Sequence, residues 1–319
     1  MPVNLKINQH IITWILVFIL FLFVGKFWYD FYKKTRPNYK NVVYSKISER
    51  NTLDIYLPKY ECADTWSCIK PKPYPVVVWI HGGWFETGSK SNPRSLDRLL
   101  SEGFAVVSIN YRLSDEAKWP AQLTDMQNVI RFIRLNASKY NFNPDKIASW
   151  WESAWWYLSS MIAVALVWNP DTKVQAAIDW YGPVDFSTMD EDMQKSNPWE
   201  KYELTWEEDS PESQLIGWAV KDNTELAHGA SLLTYIRNSD VVNNYTPLLI
   251  MHGRKDTNIS YLQSQKLNIT FQSKFWIGTT EYRFLEWEWH WGGEFDKIEA
   301  ENKVIWFLRK HLMQAEALK

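Results

Sequence analysis

Val76-Val77-Val78-Trp79-Ile80-His81-Gly82-Gly83-Trp84-Phe85 is the stretch on which the fold turns. Five apolar, mostly β-branched residues in succession read as a short strand buried on both faces, because a strand with one wet face alternates. The paired glycines that follow let backbone N–H groups approach a ligand closely, as stabilising a developing oxyanion requires. A strand ending on a Gly-Gly turn is common, so the turn by itself assigns no function.

The same pattern repeats on either side. Residues 42–47 and 53–57 are expected as early strands, and 105–109 as a second strand buried on both faces. Behind Pro120, a residue suited to the first turn of a helix, Leu123, Met126, Val129, Ile130 and Ile133 recur at helical spacing. Residues 147–150 then read as a strand and 154–167 as a helix; 174–180, 247–251 and 282–285 supply later strands, and 261–271 and 297–312 later helices. This alternation predicts an α/β protein with a mostly parallel central sheet flanked by helices. Between residues 184 and 235 the periodicity fails and acidic side chains gather, among them Asp190, Glu191, Asp192, Glu207, Glu208 and Asp209. A cap inserted above the sheet edge is expected there, against the alternative of a long solvated connection.

The 319 residues, 46% hydrophobic and 23% charged, belong to a globular chain and exclude a disordered or fibrous one. A net charge of −2 leaves no concentrated positive surface for phosphates, so nucleic acid is excluded as a main partner. Cys62 and Cys68 are too few for a disulfide scaffold and do not come in zinc-type pairs; one loop disulfide and two free thiols both remain open.

Residues 11–24, IITWILVFILFLFV, are apolar except for Thr13, and Phe27, Trp28 and Tyr29 follow as interfacial aromatics. A full span of about 20 residues is reached by counting on to Tyr29, with Lys26 snorkelling to the headgroups. No A-x-A-like site follows, which favours an uncleaved anchor over a cleaved signal peptide or a buried core helix. The expected organisation is a membrane helix and basic linker over 1–40 and one domain over 41–319. Lys26, Lys33, Lys34, Arg36 and Lys40 follow the segment and only Lys6 precedes it, a bias that places the main domain in the cytoplasm. The sequons at Asn136, Asn244, Asn258 and Asn268 point the other way, but a glycan at Asn258 would crowd Asp256, so chance is the better account of them.

Three segments carry chemistry, each just beyond an expected strand, where α/β sheets bind ligands. The first is His81-Gly82-Gly83. The second is Trp151-Glu152-Ser153-Ala154-Trp155, in which Ser153 stands between a strand and a helix. A serine there is a candidate nucleophile, with the Ala154 N–H as an oxyanion donor, although the five residues do not spell G-x-S-x-G. The third pairs His252-Gly253-Arg254-Lys255-Asp256 with Glu288-Trp289-His290. Ser153, Asp256 and His290 then run in the chain order Ser, Asp, His of a hydrolase triad on such a sheet. Each residue alone has a bland reading, as helix cap, turn residue or loop histidine; the joint order is the specific signal.

From residue 74 to 312 the chain resembles α/β-hydrolase carboxylesterases of the feruloyl and acetylxylan esterase-like group, related to kynurenine formamidases. The resemblance is carried by His81-Gly82-Gly83-Trp84-Phe85, Asn110-Tyr111-Arg112-Leu113, Trp119-Pro120-Ala121-Gln122, Glu152-Ser153-Ala154, Tyr181-Gly182-Pro183, His252-Gly253 with Asp256 and Gln263-Ser264, and His290. It implies the α/β-hydrolase fold with Ser153 as nucleophile, His290 as general base and Asp256 as its orienting acid. Gly82, Gly83 and Ala154 would line the oxyanion hole. The implied substrate is a small-molecule ester, with no metal or organic cofactor. A non-catalytic binding protein on the same scaffold and a peptidase or amidase with the same triad are the rival readings. His81 and His252 are expected to orient loops.

One departure from that family runs through the chain. Where relatives of this kind carry glycine around the nucleophile and the histidine, this sequence has tryptophan at 151, 155, 156, 287, 289 and 291, and Trp218 and Trp276 look similar. The 20 tryptophans and 12 glycines are skewed together, since average usage of about 7% would give about 22 glycines. Loss of catalysis would remove Ser, Asp or His first, and all three are present. The exchange implies UGA codons that encode glycine and have been written as tryptophan.

Overall fold

A computed structural model describes residues 36–59, 72–151, 156–166, 169–199, 204–239, 244–290 and 293–313. The chain divides into two units, residues 1–37 and 38–319, and only Arg36 and Pro37 of the first are described. The expected membrane segment, Cys62, Cys68, Ser153 and Ala154 lie outside the described residues. Among the described residues no helix is long and apolar enough to cross a membrane.

Eight strands form one sheet: β1 (Tyr39–Val43), β2 (Thr52–Tyr56), β3 (Tyr74–Ile80), β4 (Ala105–Ile109), β5 (Phe142–Trp151), β6 (Ala176–Trp180), β7 (Leu248–Gly253) and β8 (Thr280–Leu285). Their spatial order is β1-β2-β4-β3-β5-β6-β7-β8. β1 and β2 are antiparallel to their neighbours at one edge, and every pair from β4 across to β8 is parallel. The expected mostly parallel sheet is therefore present. All five residues of β4 and of β6, and all six of β7, are buried, the consequence of helices on both faces.

Alternate residues of β3 feed two cores. Val76, Val78 and Ile80 face a cluster with Met126, Val129 and Ile130 of α2 (Ala121–Leu135), Met161 and Ile162 of α4 (Trp156–Ala165), and Leu267 and Phe271 of α9 (Tyr261–Phe275). Val77 and Trp79 face the opposite cluster, with Leu96 and Leu99 of α1 (Leu96–Ser101) and Val304 and Leu308 of α10 (Ile298–Leu312). This period of two is what fixes register in a sheet covered on both sides.

Several expected boundaries move. The first strand is Tyr39–Val43 rather than 42–47: it is an edge strand with most residues exposed, so its sequence carries little apolar signal. Tyr44, just past it, turns inward and donates its hydroxyl to the Asn110 carbonyl at 2.7 Å. β5 begins at Phe142, five residues before the expected start, because Pro144, Asp145 and Lys146 hide its first half. Helix α1 was not anticipated; six residues are too few to show a helical period.

Residues 184–235 hold a 3₁₀ turn (Phe186–Thr188) and the short helices α5 (Met189–Ser196), α6 (Pro211–Ile216) and α7 (Thr224–Ala230), with α8 (Leu232–Arg237) running past the end; α3 (Ala137–Tyr140) completes the set. Helices of six to eight residues cannot stand alone, and polar ties hold this insertion to the sheet. The Gln263 side chain of α9 accepts from the Val184 and Asp185 N–H groups, both at 2.8 Å, and donates to Asp192 at 2.6 Å.

Candidate active site

The carboxyl ends of β3, β5, β7 and β8 lie along one rim of the sheet. Ile80 at the end of β3 pairs with Trp151 at the end of β5, and Gly253 at the end of β7 pairs with Leu285 at the end of β8. His81 follows β3 directly, Asp256 comes three residues after β7 and His290 five after β8. Ser153 stands two residues beyond Trp151 in the chain, outside the described residues.

Asp256 and His290 meet. His290 Nδ1 lies 2.7 Å from Asp256 Oδ2, with both residues buried. The loops that carry them are laced by main-chain bonds from Arg254 N–H to the Leu285 carbonyl and from Lys255 N–H to the Glu288 carbonyl, both 2.9 Å. Gly253 is required where they touch, since a Cβ there would collide with the Glu288 carbonyl. The Tyr181 ring packs on His290 at 4.6 Å between centroids, and Trp84 stacks over it at 6.3 Å and 12°.

The Asp256 carboxylate is ringed by N–H groups. Oδ1 accepts from the N–H groups of Asn258 and Ile259 at 2.8 and 2.9 Å, and Oδ2 faces His290 Nδ1 and, at 3.2 Å, His252 Nε2. Burial raises the carboxyl pKa, but the charge of His290 and the hydrogen bonds from His252 and His290 outweigh it and hold the group well below the usual carboxylate range. An ionised carboxylate on Nδ1 fixes the tautomer and leaves Nε2 on the far edge of the ring for proton exchange.

At the end of β3 the loop is built differently. His81 is buried, and burial lowers its pKa to about 4 despite the hydrogen bond to Gly82. A neutral imidazole donates from one nitrogen only, and the Gly82 carbonyl 2.8 Å from Nδ1 can only accept, so Nδ1 carries the proton. The peptide group is planar and trans, so anchoring the Gly82 carbonyl aims the Gly83 N–H the opposite way. The Gly83 carbonyl is held in turn by the Thr87 N–H at 2.9 Å. Gly83, Trp84 and Phe85 all have positive φ, 121°, 58° and 57°, a run that bulky residues adopt only under constraint. His81 stacks on Tyr111 at 4.6 Å, and Arg50 holds the Tyr111 and Gly88 carbonyls, each at 3.0 Å.

Other residues singled out in the sequence have framework roles. Arg112 grips buried Asp125 through two nitrogens, and Gln122 donates to the Ala117 and Arg112 carbonyls, which closes the loop between β4 and α2. Lys90 pairs with Asp54 at 3.0 Å, both nearly buried, and ties the glycine loop to β2.

Some contributions had little or no signal in the sequence. Asn197, in the 184–235 insertion, donates its side-chain amide to the Asp256 main-chain carbonyl at 2.9 Å. The His252 contact with Asp256 goes beyond orienting a loop; its four-residue spacing from Asp256 was the available clue. A cavity of about 740 Å³ is lined by Trp84, whose ring stacks on His290, by Thr257 and Asn258, which follow Asp256, and by Leu204, Thr205, Glu207 and Asp209 of the 184–235 insertion. Among the described residues no cluster of three or more His, Cys, Asp or Glu side chains is arranged to hold a metal ion.

Residues 53–271 match the family described as BD-FAE. A probable carboxylic ester hydrolase, LipM, of Mycobacterium tuberculosis is 25% identical over 239 residues, covering 70% of this chain and 49% of its own length. Esterase LipQ of the same organism is 27% identical over 201 residues, covering 60% of this chain and 44% of its own. The chain thus spans about half the length of the curated relatives it matches. Among solved structures, the truncated form of a carbohydrate esterase from gut microbiota superimposes with a TM-score of 0.72 at 26% identity, covering 88% of this chain and 98% of that one. A butyrate-bound esterase from Thermogutta terrifontis, with a TM-score of 0.58 at 19% identity over 86% of this chain and 93% of its own, shares the fold.

Proposed function

The chain belongs to the BD-FAE family, and from that premise we propose that it is a serine hydrolase that cleaves carboxylic esters through an acyl-enzyme. Ser153 attacks the ester carbonyl, and His290 Nε2 takes the hydroxyl proton and returns it to the leaving alkoxide. Asp256 holds the imidazole in the Nδ1–H tautomer and stabilises the imidazolium. The N–H groups of Gly82, Gly83 and Ala154 receive the oxyanion, and water then releases the acyl group. The observation that carries this reading is the buried 2.7 Å bond between His290 and Asp256 at the carboxyl ends of parallel strands; the cavity reaches it through Trp84, which stacks on His290, and Thr257, the residue after Asp256.

The cavity supports an ester of a short acyl, acetyl or feruloyl type, in line with the carbohydrate esterase and the butyrate-bound neighbour. Its polar and acidic cap wall, with Thr205, Glu207 and Asp209, suits a hydroxyl-rich alcohol. The test is labelling with a fluorophosphonate probe together with turnover of p-nitrophenyl acetate. Labelling and turnover that vanish in Ser153→Ala support the proposal; an unlabelled wild-type protein, or a clear preference for aminoacyl amides over esters, overturns it. Residues 11–24 are proposed to anchor the chain in a membrane. Release of the protein by carbonate washing would refute the anchor.

A further inference from the structure

Three donors hydrogen-bond the Asp256 carboxylate and a fourth N–H lies 3.2 Å from Oδ2, where a carboxylate offers about four lone-pair sites in all. That fourth N–H belongs to an imidazole that the mechanism above does not use. His252 Nε2 lies 2.9 Å from the Ile259 carbonyl and 3.2 Å from Asp256 Oδ2. Both neighbours can only accept, so Nε2 carries a hydrogen; it is given to the Ile259 carbonyl, with Asp256 Oδ2 close beside the same N–H. On the other side of the ring, Nδ1 lies 2.7 Å from Ser264 Oγ of α9, which fixes its rotation. His252, Ser264 and Asp256 are all fully buried, so no water substitutes for a lost donor from the surface.

We propose that His252 is a positioning residue for the reaction: by setting its N–H beside Asp256 Oδ2 and holding the Ile259 carbonyl, it fixes the rotation and basicity of the carboxylate that orients His290. The proposal rests on the reading of Asp256 and His290 as the catalytic pair. Without the His252 hydrogen, Oδ2 loses a neighbouring N–H in a buried setting, the Ile259 carbonyl loses its donor, and the remaining bond to His290 tightens.

The test compares His252→Leu, which removes the donor, with His252→Gln, whose amide reaches toward the same oxygen. H252L is expected to lower kcat about 10- to 100-fold, the scale of a small misplacement in a catalytic group, with KM little changed, and H252Q to recover most of the loss. The downfield proton resonance of His290 Nδ1–H, assigned by its absence in His290→Ala, is expected to move further downfield in H252L and to return in H252Q. Equal losses in the two variants with an unmoved resonance would reduce His252 to packing and overturn the proposal, as would an unchanged kcat in H252L. If H252L does not fold, His252→Asn, whose shorter amide faces Ser264 and not Asp256, replaces it with the same two outcomes. The resonance requires no turnover, so a protein that fails to hydrolyse esters sinks the functional reading separately.

The backbone carries a second inference independently. Trp276 caps the end of α9 at φ 90° and ψ 153°, a region reserved in practice for glycine, at the place where helices favour glycine. Trp218, Trp276, Trp287 and Trp289, the suspect tryptophans whose side chains are described, are each half or more exposed. An indole gains its stabilisation from burying about 150–250 Å², as Trp79, Trp150 and Trp180 do within the sheet's core cluster. We infer that position 276 is glycine in the native protein and that positions 151, 155, 156, 218, 287, 289 and 291 share its origin, a UGA codon that encodes glycine. Reading the gene and weighing the native peptides decides the matter. UGA codons with glycine masses support the inference; UGG at 276, or a tryptophan mass there, overturns it.

Discussion

Two histidines sit at matching places in this sheet, each followed by glycine at the carboxyl end of a parallel strand: His81-Gly82 after β3 and His252-Gly253 at the end of β7. Both are buried, yet they serve opposite needs. His81 gives its one proton to the carbonyl of the next residue, and so shapes a loop whose N–H groups face outward. His252 gives its proton to the Ile259 carbonyl with the Asp256 carboxylate 3.2 Å away, and so keeps a positive N–H dipole against a buried charge. A short motif thus specifies a buried imidazole at a strand end, and the neighbouring loop decides what the imidazole does.

The largest test of this contrast is at Asp256. Asp256→Asn keeps the shape and removes the charge that both imidazoles of the β7 and β8 side address, and is expected to lower kcat about 10⁴-fold. Single-turnover hydrolysis measures it, and a loss below about tenfold would mean that this side of the rim does not orient proton transfer. Next comes the β3 side. His81→Leu frees the Gly82 carbonyl and lets the Gly83 N–H swing; about a 10²-fold fall in kcat is expected, the scale of one lost oxyanion donor. His81→Asn, which can still reach that carbonyl, should recover part of it, and equal losses in the two variants would break the assignment.

Acid titration sharpens the comparison. His81 is lowered from 6.5 to about 4 by burial, so the unfolded chain binds its proton first and stability falls as pH drops from about 6.5 to 4. Asp179 is raised from 3.8 to about 6, again by burial, so it works the other way: its contribution is complete below 3.8 and is lost as pH rises through about 6. Each effect is on the order of 3 kcal/mol at full extent, and the two oppose each other. Asp179→Asn should therefore steepen the loss of stability on acidification in urea denaturation at pH about 4.5 and 6.5, and His81→Gln should flatten or reverse it. Identical slopes in both variants would show that neither buried group governs acid stability.

The smallest effect lies away from both strand ends. Trp276→Gly should raise stability by about 1–3 kcal/mol, read as a higher midpoint in thermal unfolding. A lower midpoint would mean that the exposed indole contributes a contact worth more than its backbone strain.

Much of the frame was legible because burial on both faces forces a continuous apolar run: β3, β4 and β7 sit close to where their valines, isoleucines and leucines place them. The partnership of Asp256 and His290 was legible from chain order, since each follows a strand whose end shares the same rim. The edge strand β1 was misplaced because exposure removes the pattern, and α1 was missed because six residues hold fewer than two turns. The His252 contact depends on the tight fold of residues 254–259, of which the four-residue spacing is only a faint trace, and the Asn197 contact on an insertion returning across 59 residues of sequence, which leaves none.

That last contact has a consequence for engineering. Exchanging the 184–235 insertion between esterases is a natural way to change which substrates are accepted. Here the exchanged piece carries the amide that binds the Asp256 main-chain carbonyl, so on the proposed role of Asp256 a transplant that omits Asn197 would retune selectivity and turnover together. A graft designed to alter selectivity alone must bring that one side chain along.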